Sequence, residues 1–185
     1  MSINNLSKQA LEAGLDHIKA SPADIGTLAM IVRRPATDAR EVLHHGVLCI
    51  ENGLEGDNWL ARGSSRTEDR AAHPDTQINI TNVRCVELVA GPRERWPLAG
   101  DQLYVDLDLS EANLPPGSRL QIGETELEIT DQPHLGCKKF SARFGPDAMQ
   151  FVNSELGQAL HLRGLNARVI KGGTINTGDS VVKIS

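Results

Sequence analysis

The 185-residue sequence has few aromatic residues, 3% of the chain, and only three cysteines. Scarce aromatic surface leaves little material for stacking on nucleic-acid bases. The formal charge of −5 points the same way, because neutralisation of phosphates by Lys and Arg supplies most nucleic-acid affinity. Nucleic acid is therefore not an expected partner. Cys49, Cys85 and Cys137 are odd in number, far apart and without a CxxC, which argues against a disulfide framework and a zinc knuckle. The longest apolar run, Leu28–Val32, falls far short of a bilayer span, so no membrane is expected either. The opening MSINNLSKQALEAG lacks the apolar core of a signal peptide, and the expected location is cytoplasmic. Common site patterns are missing as well: no GxGxxG after a strand, no HExxH, no GxSxG. Gly173 to Gly178 has phosphate-loop spacing, but Asp179 stands where a lysine is required, so these glycines read as turns.

What remains is the composition of a globular chain, 39% hydrophobic and 23% charged, at a length that suits one domain. Leu6, Ala10, Leu11, Leu15 and Ile18 recur at helical spacing, and Ser21-Pro22 ends that helix. Residues 1–25 thus read as an N-terminal helical extension, and residues 26–185 as the domain proper. From Gly26 the pattern turns to strands: 27–33, 41–50, 77–81, 102–108, 165–170 and 180–184. Gly53 to Asp57 reads as a turn, and Leu60 to Thr76 as a long polar loop of the kind that is functional or mobile. Asn82 is placed to cap a short helix through Val89. The clearest hairpin joins Leu120 and Ile122 to Leu127 and Ile129 across Gly123-Glu124, with Glu124, Glu126 and Glu128 on the wet face. Pro146 or Asp147 opens a helix with a stripe of Met149, Val152, Leu156 and Leu160. The expectation is a mostly-β (α+β), barrel-like fold with a few peripheral helices.

The most informative segment is Gln132 to Phe140, QPHLGCKKF, which Pro133 and Gly136 mark as a loop. Cys137 sits beside Lys138 and Lys139, with His134 before it and Arg143 after it. Nearby cations favour a thiolate, which can attack an electrophile, carry a persulfide or ligate a soft metal. A buried, inert cysteine is the competing reading, since free cysteine is commonly buried. Cys49 and Cys85 are expected to pack in the core. His44 and His45 are adjacent and would face opposite sides of a strand, His73 falls in the polar loop, and His161 ends a helix. His134 alone has a candidate partner, Cys137.

Several segments in order resemble the MOSC domain family, the domain shared with the C-terminal part of molybdenum cofactor sulfurases. They are GLEGD at Gly53 to Asp57, AGDQLYVDLDLSEANLPPGSRLQIGETELEIT, LGCKKF, and RGLNARVIKGGTINTGDSVVKI at Arg163 to Ile184. Asp101-Gln102 stand where the family usually has Glu-Asn, and Asn58-Trp59 where a basic residue is common. The resemblance implies a barrel-like MOSC fold with Cys137 as the functional thiol. It also implies a molybdopterin-type molybdenum cofactor with Cys137 on the metal, reducing N-hydroxylated substrates. The cofactor's phosphate would need cations and N–H donors, for which Lys138, Lys139, Arg143, Arg163 and Arg168 are at hand, with His134 beside them. Gly100, Asp101 and Gln102 would meet the pterin edge. Two other readings stay open: a metal-free persulfide carrier on Cys137, and a non-catalytic binding barrel. Expected partners are a small-molecule substrate and a redox protein, with a homodimer allowed. A pyridoxal phosphate site has no support in the residues.

Overall fold

A computed structural model describes residues 5–65 and 67–184. Met1–Asn4, Arg66 and Ser185 lie outside the described residues, and with them the outermost ends of the two expected segments and one residue of the polar loop.

Eleven strands form among the described residues: β1 (Ile25–Arg33), β2 (Glu41–Leu43), β3 (His45–Cys49), β4 (Gly53–Leu54), β5 (Ile78–Asn82), β6 (Leu103–Asp106), β7 (Arg119–Ile122), β8 (Thr125–Ile129), β9 (Leu165–Lys171), β10 (Gly173–Asn176) and β11 (Ser180–Ile184). Seven of them close into a mixed barrel in the order β11-β7-β8-β9-β5-β6-β1, with β1 pairing back onto β11. Only β5 and β6 run parallel; the other barrel pairs are antiparallel. β2 extends the far end of β1, and a small second sheet runs β10-β3-β4.

Alternation of side chains fills the barrel. Ile78 and Ile80, Leu103 and Val105, Leu120 and Ile122, and Leu127 and Ile129 all point inward and are buried. In β1 the register against β6 shifts between Leu28 and Met30. That irregularity lets Leu28 and Ile31, three residues apart, share the interior, while Met30 and Val32 face outward. The outward side chains meet a second core under the helices α1 (Lys8–Ala13), α2 (Leu15–Lys19), α4 (Val83–Ala90), α5 (Lys138–Phe144) and α6 (Pro146–Asn153). A short α3 (Trp59–Arg62) and α7 (Glu155–Ala159) complete the helices, with 3-10 turns at Pro74–Thr76 and Arg93–Ala99. No helix among the described residues is long and apolar enough to cross a membrane.

The mostly-β barrel is as the strand pattern leads one to expect. Several boundaries differ, for local reasons. The first helix is two, broken at Gly14, where a Cβ would sit 2.5 Å from Leu88 of α4. The stretch 41–50 divides between two sheets at His44, so β2 and β3 are separate strands. The helix after Pro146 stops at Ser154, whose hydroxyl accepts from the Gly157 N–H and starts α7; Leu156 is exposed and not part of an apolar stripe. The glycines read as turns include a strand, β10, which pairs with β3. The segment after Cys137 is helix α5, because Phe140 and Phe144 give it a buried face with an edge-on ring contact at 4.9 Å. The polar loop contains α3 and a 3-10 turn. Cys85 packs in the second core, whereas Cys49 is only half-buried.

Candidate functional site

The site is organised by two buried ion pairs. Asp57 closes the GLEGD turn with its carboxylate fully buried against Arg34 at the end of β1. Arg34 donates to both Asp57 oxygens at 2.9 Å, then reaches Asn79 Oδ1 at 2.8 Å and the Gly100 carbonyl at 3.0 Å. One guanidinium thus ties the turn, strand β5 and the residue before Asp101 into one unit. From Asn79 the hydrogen bonds continue: its amide donates to Asn166 Oδ1 at 2.6 Å, and Asn166 donates to the Gln132 carbonyl at 3.0 Å. A partly buried polar chain therefore links the GLEGD turn to the loop that carries Cys137.

Asp101 is fully buried and receives Arg163 Nη1 at 2.9 and 2.7 Å. Arg163 also donates to the Ala99 carbonyl and lies over the Phe140 ring at 5.1 Å. Burial raises the Asp101 carboxyl above its ordinary value, while Arg163 pulls the other way. His134 Nε2 stands 3.6 Å from Asp101. Gly164 follows Arg163 with φ +103, and a Cβ there would lie 2.3 Å from the Ile80 carbonyl and 3.3 Å from His134 Nδ1. The Arg-Gly pair in RGLNAR is thereby explained: arginine neutralises Asp101, and glycine lets the backbone approach β5. Gln102 is buried too, accepting from the Asn79 N–H at 2.7 Å and donating to the Gln77 carbonyl at 3.1 Å. Its amide is spent on holding strands together.

The expected thiol is on the surface. Cys137 is exposed, and its side chain makes no capping bond to α5, which it precedes. The loop behind it is pinned by Asn153, which accepts from the Gly136 N–H at 2.7 Å and donates to the Gly136 carbonyl at 2.9 Å. One turn apart on α5, Lys139 and Arg143 both reach Asp38, at 3.1 and 2.9 Å. Arg143 also donates to the Leu98 carbonyl at 2.8 Å, and Arg40 donates to the Pro97 carbonyl at 3.2 Å. Gly100 sits between them: a Cβ on it would lie 3.4 Å from Arg40 and 3.9 Å from Arg143. Burial and the neighbouring Arg143 and Arg34 hold the Arg40 guanidinium below its usual range. Burial, then Arg34, does the same to Arg62.

Of the residues singled out from sequence, Asp101, Arg163 and His134 meet one another, and Gly100, Lys139 and Arg143 gather around Asp38 and Arg40. Lys138 is exposed beside Cys137. Arg168 lies elsewhere, on β9 with Glu128 and Asp75 at 2.6 and 3.3 Å. Arg34, Arg40, Arg62 and Asp38 escaped the sequence reading. For Arg34, Asp38 and Arg40 the signal was the run RRPATDAR, Arg33 to Arg40, dense in cations yet without periodicity; Arg62, at the end of α3, had none. A cavity of about 620 Å³, with His134, Arg163 and Gly164 in its lining, lies between residues 129–135 and 155–165.

The donor set fits a phosphate-bearing group with a metal of its own. In and beside the 97–102 segment stand six cations, Arg34, Arg40, Arg62, Lys139, Arg143 and Arg163, against three acids, Asp38, Asp57 and Asp101. No three His, Cys, Asp or Glu among the described residues could hold a bare metal ion, so Cys137 would add one soft ligand to a metal arriving with others.

The family described as MOSC domain matches residues 91–182. Among solved structures, YuaD from Bacillus subtilis has a TM-score of 0.62 at 18% identity, covering 85% of this chain and 94% of that one. YiiM from Escherichia coli has a TM-score of 0.55 at 19% identity, covering 86% and 70%. YiiM from Geobacillus stearothermophilus has 0.53 at 15% identity, covering 89% and 75%. These likenesses are of fold. No curated protein matches the sequence.

Proposed function

Because this chain carries a MOSC domain, we propose that it binds a molybdopterin-type molybdenum cofactor and reduces N-hydroxylated small molecules. The observation that carries the reading is the exposed Cys137 at the head of a helix whose Lys139 and Arg143 enter a cluster with surplus positive charge. Residues 26–185 form the binding domain in this reading, and residues 1–25 its helical extension. Cys137 ligates the metal. Lys139, Arg143 and Arg40 take the phosphate, with the open Gly100 backbone alongside. Lys138 adds charge at the rim. Arg163 and Asp101, being buried against one another, act by holding His134 and the 97–102 segment in place. Arg168 serves its own strand pair. The cofactor, when bound, supplies the two-electron chemistry; a redox partner protein recharges it.

Metal analysis of freshly purified protein from molybdate-supplied cells tests this. The expected result is close to one molybdenum per chain, with the occupancy lowered in Cys137→Ser while the far-ultraviolet circular dichroism is unchanged. The exposure of Cys137 also supports a second reading, a sulfur carrier with a persulfide on that thiol. A metal-free protein with cyanide-labile sulfur on Cys137 would select it and refute the first.

A further inference from the structure

Asp38 is an unusual residue to find in a cation cluster. It is exposed, 58% by side chain, and yet serves both Lys139 and Arg143. Its backbone is in the left-handed region, φ +61, which suits Asp or Asn better than most side chains. Lys139, first through its hydrogen bond and then through its charge, holds the Asp38 carboxyl below its ordinary value. The cations do not depend on it for their positions. Arg143 is anchored by the Leu98 carbonyl and Arg40 by the Pro97 carbonyl, both from the turn that leads to Gly100. Arg40 has no carboxylate within ion-pair distance among the described residues.

We propose that the Asp38 carboxylate is an internal stand-in on the cations Lys139, Arg143 and Arg40, displaced when a phosphate monoester binds them as in the proposed function. A phosphate brings close to two negative charges and three acceptor oxygens to three cations. A free carboxylate brings what Asp38 already supplies, and must compete with a group tethered at an effective concentration on the order of millimolar. The loop between β1 and β2 therefore works as a selectivity filter: phosphates enter and carboxylates do not. The inference rests on the cofactor reading only for the identity of the physiological phosphate.

Isothermal titration of metal-free protein with inorganic phosphate and with acetate tests the site without any cofactor. In wild type, phosphate binds and acetate does not. Asp38→Asn, which keeps the left-handed backbone, binds phosphate about tenfold more tightly and now binds acetate measurably. Lys139→Ala combined with Arg143→Ala loses phosphate binding, with the thermal midpoint confirming a folded variant. Phosphate binding to Asp38→Asn no tighter than to wild type overturns the proposal, as does binding that survives the double substitution. The same titration on molybdenum-loaded protein separates the sources. Binding abolished by loading assigns the site to the cofactor's phosphate; binding unchanged by loading keeps the site for a free phosphate ester and counts against the cofactor reading alone.

Discussion

Two sets of Arg–carboxylate contacts lie side by side in this molecule and differ chiefly in burial. Arg34–Asp57 and Arg163–Asp101 are sealed, with side chains no more than 9% exposed. Lys139 and Arg143 share Asp38 at the surface. The sealed pairs have every strong reason to stay closed, since opening either one strands a charge away from water. The surface set is screened and cheap to rearrange. The difference divides the labour: the buried pairs fix where the Gly100 segment, His134 and α5 stand, and the exposed cations are left to exchange partners.

The contrast can be broken at its strongest point first. Arg163→Met leaves Asp101 buried without its cation, and we expect a loss of about 3–5 kcal/mol, read by urea or thermal unfolding. Asn79→Ala cuts the polar chain from the Arg34–Asp57 pair to the 132–137 loop, stranding Asn166 Oδ1 and one Arg34 donor; about 1–3 kcal/mol is expected in the same measurement. At the exposed set, Asp38→Asn leaves the unfolding midpoint within error of wild type. A stability loss there as large as in Asn79→Ala would erase the distinction.

The cysteines sharpen the same comparison chemically. Burial pushes the Cys85 thiol up to about 12, and its sulfur donates to the Leu162 carbonyl at 3.0 Å. A raised value keeps Cys85 protonated through pH 9, because the thiolate appears only as pH approaches the raised value. Iodoacetamide at pH 8 followed by peptide mass mapping is expected to label Cys137 first, with Cys85 unlabelled until the protein is unfolded. Equal labelling would contradict the burial difference.

How much was legible in the sequence follows from the same physics. The β7–β8 hairpin could be read because alternation and a glycine turn are local signals; the pairs Leu120↔Leu127 and Ile122↔Thr125 form as the pattern implies. The ordered MOSC-like segments were legible partly for the same reason: the Gly53–Asp57 turn and the Arg163-Gly164 pair each answer a local steric demand. The helix breaks at Gly14 and Ser154 were missed because a tertiary contact and a cap override a continuous apolar period. Asp101 and Gln102 looked like ligand contacts by type, yet burial has committed both to internal partners. Arg40 and Asp38 lie in the cation-dense run Arg33 to Arg40, but only the fold brings that loop beside α5, about a hundred residues later.

Under the proposed function, the exposed thiol of Cys137 and the exchangeable cations of Lys139 and Arg143 receive one ligand. X-ray absorption at the molybdenum edge of the loaded protein tests it most directly. Wild type and Cys49→Ser are expected to show one sulfur ligand more than the molybdenum that Cys137→Ser retains. Identical molybdenum–sulfur shells in wild type and Cys137→Ser would contradict it.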